Sequence, residues 1–284
     1  MKIKTVGVVG AGTMGNGIAQ VCAAAGLEVI MQDIGEAQVE RGLQTISGSL
    51  DRLIKKEKIT EADKKSALDR IATATSLEKL ADADIVIEAA TEDEALKLGI
   101  FEQLDTLCQP QAILASNTSS ISLTRIAGVT QRADRVIGMH FMNPVPMMTL
   151  VEVIRALQTG DETYRTVHEL SKFIGKVPVE AKDSPGFVAN RILIPMLNEA
   201  AYAYYEGLAS AEGIDEIMQL GMAHAMGPLA LADLIGIDTC YAVIKVLHEG
   251  FGDSKYRPCP IWRQMVDAGY LGRKSGRGFY NYEE

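Results

Sequence analysis

The sequence predicts an α/β fold: a mostly parallel sheet with an inserted helical hairpin, followed by an all-helical C-terminal region. Three observations carry this reading. Short apolar runs alternate with helical patterns up to Asp183. A glycine-rich turn, Gly10-Ala11-Gly12-Thr13-Met14-Gly15, joins the first such run to the first helical stretch. The alternation stops after Asp183-Ser184-Pro185-Gly186, where Pro and Gly break regular structure. The implied domains are residues 1–183 and 184–284, with the hairpin at about 36–70 of the first.

The strand candidates are Thr5–Val9, Glu28–Gln32, 85–89, 112–116 and 135–140. They are nearly continuous in Val, Ile, Ala and Leu, as in parallel strands buried on both faces. Helical stretches such as 16–25 and 95–107 lie between them, and this alternation predicts a parallel sheet covered by helices. The connection over 36–68 is too long for a simple crossover and is polar and helix-prone. Thr60-Glu61-Ala62-Asp63 resembles a capping box with Asp at the fourth position, so the segment reads as two helices. Beyond Gly186, residues 187–205, 213–226, 229–249 and 261–268 read as helices, several apolar over most of their surface, and 272–282 reads as an irregular tail.

The chain has 284 residues, 47% hydrophobic and 23% charged, the composition of a soluble globular protein. Its net charge is −9 and no long Lys/Arg block occurs, which argues against nucleic acid as a partner. Cys22, Cys108, Cys240 and Cys259 are far apart with no CxxC pairing, so no metal site or disulfide framework is expected and a reducing compartment fits. Met1-Lys2-Ile3-Lys4 runs directly into a strand-like segment, with no room for a targeting peptide. No apolar run approaches the roughly 20 residues that span a bilayer. The expectation is a cytoplasmic protein with no membrane partner.

The glycine turn fits G-x-G-x-x-G, and its setting makes it specific: it follows a strand, opens a helix and precedes Asp33 at the end of the next strand. This is the dinucleotide-binding pattern of the Rossmann type. Gly10 permits the tight turn, Gly12 lets the pyrophosphate approach the backbone, and Gly15 lets helix and strand pack closely. Asp33 would accept hydrogen bonds from ribose hydroxyls and repel a 2′-phosphate, which favours NAD over NADP. Ser116-Asn117-Thr118-Ser119-Ser120 follows a buried strand on the ligand side and suits hydrogen bonding to substrate and nicotinamide; it also reads as a helix N-cap before Leu123.

His140 ends the next strand, and Leu150-Val151-Glu152-Val153-Ile154 places a carboxylate inside an apolar strand, where an unpaired charge would be costly. The Asn143-Pro144-Val145-Pro146 turn allows that strand to fold back beside His140. The pair is then either a base with its orienting carboxylate or a buried structural pair. On the hairpin, Ser49, Arg52 and Lys56 share a face by i, i+3, i+7 spacing. That face suits the phosphates of coenzyme A, or is an ordinary solvated surface.

These motifs, in this order and with Asp183-Ser184-Pro185-Gly186-Phe187-Val188-Ala189-Asn190-Arg191 and the tail Lys274-Ser275-Gly276-Arg277-Gly278-Phe279-Tyr280, resemble the L-3-hydroxyacyl-CoA dehydrogenase family over essentially the whole chain. The likeness is greatest to its free-standing 3-hydroxybutyryl-CoA dehydrogenase members. The resemblance implies NAD-dependent oxidation of a short (S)-3-hydroxyacyl-CoA to the 3-ketoacyl-CoA, and the reverse. It implies catalytic positions at Ser119, His140, Glu152 and Asn190, with Ser119 and Asn190 also touching substrate. It supports Ser49 and Lys56 as coenzyme A contacts and puts Glu92, Lys97, Asn117, Asn143 and Lys274 on the cofactor side. It also implies a homodimer through the C-terminal region. Rival readings are a related dehydrogenase of a free hydroxy acid such as L-gulonate, against which the basic hairpin argues, and a non-catalytic protein that keeps the dinucleotide fold, against which the intact catalytic set argues.

Overall fold

A computed structural model describes residues 3–282; Met1 and Lys2 of the leading segment lie outside the described residues. It divides into two compact units, 1–183 and 184–284.

In the first unit the sheet has eight strands: β1 (Thr5–Val9), β2 (Glu28–Gln32), β3 (Ile71–Ala74), β4 (Ile85–Glu88), β5 (Ile113–Ser116), β6 (Val136–Phe141), β7 (Leu150–Arg155) and β8 (Val177–Lys182). Their order is β3-β2-β1-β4-β5-β6-β7-β8. The strands from β3 to β6 are mutually parallel, β7 runs antiparallel to β6, and β8 is parallel to β7. The mostly parallel sheet expected from the sequence is present, and two strands join it that the apolar pattern does not announce. β3 (Ile-Ala-Thr-Ala) buries only its first and last residues. β8 leaves Val177 and Val179 exposed and carries Pro178, which is tolerated because β8 is an edge strand.

The helices of this unit are α1 (Thr13–Ala24), α2 (Glu36–Lys55), α3 (Glu61–Asp69), α4 (Glu94–Leu107), α5 (Leu123–Gly128) and α6 (Asp161–Phe173). The expected hairpin is α2 and α3. The Thr60 side chain accepts from the Asp63 amide at 3.2 Å while Asp63 accepts from the Thr60 amide at 2.9 Å, a complete capping box. The core joins α1 and α2 to the sheet: Ile18, Ile46, Val8, Ile87, Met139 and Val153 are all fully buried. Each such side chain stabilises by about 1.5–3 kcal/mol relative to exposure.

The second unit is helical: α7 (Ala189–Tyr205), α8 (Ala211–Met222), α9 (Pro228–Ile235), α10 (Ile237–Phe251) and α11 (Pro260–Asp267). Its core centres on Leu197, Ile244, Leu247 and Trp262. The single helix expected over 229–249 is two, because Gly236 takes φ +107° between α9 and α10. That backbone conformation is open to glycine and strained for other residues. The helix expected over 213–226 ends at Met222, where Ala223 turns left-handed. The tail is irregular apart from a short turn at Arg273–Ser275 and two isolated antiparallel bridges, Gly272 to Arg277 and Arg277 to Asn281. It is pinned by buried Asp233, which accepts from the Phe279 and Tyr280 amides at 2.9 and 3.0 Å. Among the described residues, no helix is long and apolar enough to cross a membrane.

Candidate active site

The glycine turn sits at the C-terminal edge of the sheet, between β1 and α1. Gly10 has φ +97°, and a Cβ there would stand 2.7 Å from the Ala89 carbonyl oxygen. A Cβ on Gly15 would lie 1.8 Å from the Gly10 oxygen, so no side chain fits. Around Gly12 nothing lies within 4 Å of a Cβ position, which leaves the outer face of the turn open. Thr13 and Met14 begin α1, whose N-terminus lacks a side-chain cap. Asp33 is fixed from both sides: its Oδ2 accepts from the Ala11 amide and its Oδ1 from the Ile34 amide, each at 2.7 Å. Each carboxylate oxygen retains further accepting capacity. A cleft of about 290 Å³ opens between this turn, Asp33 and α2. An acceptor held beside uncapped helix amides suits a ribose diphosphate.

Next along the sheet edge is a polar network. Glu88, the last residue of β4, is 0% exposed, and Lys97 of α4 is 1% exposed. The Lys97 ammonium lies 2.5 Å from Glu88 Oε1 and 3.3 Å from Glu92 Oε2, and donates to the Ala90 carbonyl at 3.2 Å. Ser116 donates to Glu88 Oε2 at 2.6 Å. Glu92 in turn clasps the loop after β5. Its Oε1 accepts from the Thr118 hydroxyl at 2.5 Å, the Ser119 amide at 2.9 Å and the Ser120 amide at 3.1 Å. Burial pushes the Glu92 carboxyl up, but the Lys97 charge and these hydrogen bonds prevail and hold it below its ordinary value. Asn117 ties the loop to the next strand by accepting from the Phe141 amide at 2.9 Å. The cap of α5 is Ser122, which accepts from the Arg125 amide at 3.2 Å, so the 116–120 run is not the helix cap.

His140 and Glu152 are directly opposed in the antiparallel β6–β7 pair. His140 Nδ1 lies 2.7 Å from Glu152 Oε2, and the two residues are 7% and 3% exposed. An ionised carboxylate only accepts, so beside an ionised Glu152 the contact suits the tautomer that donates from Nδ1 and leaves Nε2 as an acceptor. The connecting turn, which includes the exposed Asn143 and a cis Asn143–Pro144 peptide, is held by Lys176. That buried ammonium donates to the Val145 and Met148 carbonyls at 2.5 and 2.7 Å.

Two comparisons settle the family. The model of the 3-hydroxyacyl-CoA dehydrogenase NAD binding domain matches residues 5–184, and that of the family's C-terminal domain matches 186–282. The chain belongs to the 3-hydroxyacyl-CoA dehydrogenase family. It is 57% identical over 284 residues to the probable 3-hydroxybutyryl-CoA dehydrogenase of Bacillus subtilis, covering 100% of this chain and 99% of that one. It is 52% identical to the 3-hydroxybutyryl-CoA dehydrogenase of Bradyrhizobium diazoefficiens, covering 99% and 96%. The crystal structure of (S)-3-hydroxybutyryl-CoA dehydrogenase from Ralstonia eutropha superposes with a TM-score of 0.97 at 61% identity, with full coverage of both chains.

In this NAD-dependent dehydrogenase the first unit brings together the glycine turn with Asp33, the Glu92 clasp with Asn117 and Ser119, and His140 with Glu152. Lys97 is enclosed beneath the clasp. On the hairpin, Arg52 and Lys56 are exposed and Ser49 is partly buried; neither cation has a carboxylate partner among the described residues. Asn190 and Lys274 belong to the helical unit. Asn190 is partly buried in the first turn of α7, and the Lys274 ammonium pairs with Asp238 at 2.5 and 2.7 Å. Sequence reasoning missed Glu88 and its partnership with Lys97. The available signal was a carboxylate at the end of the apolar run Ile85-Val86-Ile87-Glu88, the same kind of signal that drew attention to Glu152.

Proposed function

We propose that the enzyme interconverts a short-chain (S)-3-hydroxyacyl-CoA, foremost (S)-3-hydroxybutyryl-CoA, and the corresponding 3-ketoacyl-CoA. The observation that carries the reaction is the buried 2.7 Å His140–Glu152 contact at the ligand edge of the sheet. The names of the relatives support the four-carbon substrate. NAD, when bound, supplies the hydride acceptor. His140 Nε2 takes the proton of the 3-hydroxyl as the hydride departs from C3, and Glu152 stabilises the imidazolium so formed. In the reverse direction His140 returns that proton to the ketone oxygen.

Ser119 is a hydrogen-bond partner of the reacting oxygen, held by the Glu92 clasp. Asn190, on the family motif alone, is a second such partner. Gly10, Ala11, Gly12, Thr13, Met14 and Gly15 are assigned to the pyrophosphate, Asp33 to the adenosine ribose, and Glu92, Asn117, Asn143 and, on the family motif alone, Lys274 to the cofactor side. Lys97 serves the cofactor indirectly, by fixing Glu92. Residues 1–183 are thus the NAD-binding domain and 184–284 the substrate and dimerisation domain. Exposed Ile192, Ile217, Leu220 and Met222 support a homodimer through the helical domain; a monomer in sedimentation would overturn that assignment. A cytoplasmic setting fits four buried free cysteines.

The direct test is NADH oxidation with acetoacetyl-CoA, with longer 3-ketoacyl-CoAs, and with free 3-keto acids. Fastest turnover of acetoacetyl-CoA is expected, and preference for a free acid would sink the reading. Ser49, Arg52 and Lys56 are assigned to the coenzyme A phosphates. Lys56→Ala should raise KM for acetoacetyl-CoA by roughly two- to fivefold, the scale of an exposed ion pair, and more than it lowers kcat. The effect should shrink at high salt and with a truncated thioester lacking the nucleotide. Equal losses with both substrates would remove the hairpin from the binding site.

A further inference from the structure

We propose that Arg41 is a cation already placed in the adenosine cleft, where it opposes Asp33 and sets how strictly the enzyme rejects a 2′-phosphorylated dinucleotide. This rests on the reading of Asp33 as the ribose acceptor and goes beyond it.

The placement follows from how α2 meets the glycine turn. At Gly42 the helix comes so near that a Cβ would stand 3.0 Å from the Ala11 carbonyl oxygen and 2.9 Å from Met31 Cε. The neighbouring Arg41 is thereby brought to the mouth of the cleft. Gln38, Arg41 and Thr45, spaced i, i+3, i+7, line the cleft together with Asp33 and Gly12. The Arg41 Nε donates to the Ala37 carbonyl at 3.1 Å, which lays the side chain along its own helix. Among the described residues its guanidinium has no ion-pair partner. Glu40, its neighbour, is turned to Gln44 at 3.4 Å. Glu36, exposed in the first turn of α2, is not among the residues that line the cleft.

A ribose 2′-phosphate brings close to two negative charges and three acceptor oxygens. In this cleft it would meet two opposed effects: repulsion from the Asp33 carboxylate, and attraction to a guanidinium whose planar fork suits phosphate. NAD, with a plain hydroxyl at that position, gains from Asp33 and nothing from the Arg41 charge there. Cofactor preference is then a difference between two terms of opposite sign. Two consequences follow. Arg41 weakens the discrimination that Asp33 imposes in the natural enzyme. Neutralising Asp33 alone uncovers a phosphate partner, with no need to introduce a second cation.

The test is equilibrium binding of NADPH and NADH, followed by the fluorescence of the reduced nicotinamide, with wild type, Arg41→Ala, Asp33→Asn and the double variant. Asn retains an oxygen that can accept the Ala11 amide, so the glycine turn keeps its support; Asp33→Ser serves if Asp33→Asn does not fold. The readout is the ratio of the NADPH Kd to the NADH Kd. Arg41→Ala should raise that ratio about tenfold, the scale of one charge-assisted hydrogen-bonded contact. Asp33→Asn should lower it by at least as much, and the double variant should give back about tenfold of that gain. The part due to Arg41 should fade as ionic strength rises. A gain in Asp33→Asn that survives unchanged in the double variant overturns the role of Arg41 and leaves Asp33 as the discriminator. A ratio that no Asp33 variant moves overturns the Asp33 reading, and this inference with it.

Discussion

Replacing His140 with Ala is expected to lower kcat by about 10²- to 10⁴-fold while NADH binding persists, because a positioned base or acid contributes on that scale. The cleft proposed for the adenosine half is lined by the glycine turn, Asp33 and α2, so truncating a side chain on β6 leaves it intact. Glu152→Gln keeps the size of its partner and removes the charge that favours the imidazolium. It should cost less than His140→Ala but remain a large loss in kcat. Residues that act as one unit are not additive, so the double variant should be scarcely worse than His140→Ala alone. Stopped-flow turnover of acetoacetyl-CoA with saturating NADH measures all three. Losses that multiply, or a His140→Ala enzyme with near-normal kcat, would make the buried pair structural and send the search for the proton-transfer group elsewhere.

The second large effect is expected on stability. Lys97→Met removes the ammonium from a site 1% exposed and leaves the Glu88 carboxylate, 0% exposed, without its counter-charge. Breaking a buried pair from one side costs about 3–5 kcal/mol. For a unit of this size that lowers Tm by roughly 10 °C. Ser116 and the Ala90 amide still donate to Glu88, which softens the loss without supplying charge. Adding Glu88→Gln to Lys97→Met should recover part of the Tm, since two neutral groups of similar volume replace two ions. Thermal unfolding followed by circular dichroism decides this. A single variant within about 2 °C of wild type would mean that water or relaxation already screens the pair. Because Lys97 also steadies Glu92, the surviving Lys97→Met enzyme should show a lower kcat in addition to its lower Tm.

What the sequence determined by itself was local or forced by cost. The glycine turn and Asp33 are legible because each glycine answers a backbone demand within a few residues: φ +97° at Gly10, and a 1.8 Å clash for any Cβ at Gly15. His140 and Glu152 are legible because a carboxylate in an apolar strand must be paired, and a short turn limits where the partner can be. The capping box at Thr60 is legible for the same local reason.

Tertiary structure alone decided the rest. Ile71–Ala74 and Val177–Lys182 become strands because neighbours offer them a ladder, and their own burial patterns are too weak to announce it. The pattern over 229–249 reads as one helix, yet Gly236 takes φ +107° and splits it into two, with Asp238 and Lys274 close enough to leave little room for a Cβ there. Lys97 is singled out in the sequence only by the family resemblance, as a cofactor-side residue, and only the fold of α4 over β4 encloses it with Glu88. Arg41 reads as one more charge on a polar helix, and only the packing of α2 against the glycine turn makes it line the same cleft as Asp33. Periodicity and turn chemistry are properties of neighbours along the chain. Which charged side chain is enclosed, and which faces a cleft, depends on surfaces that meet only after the chain has folded.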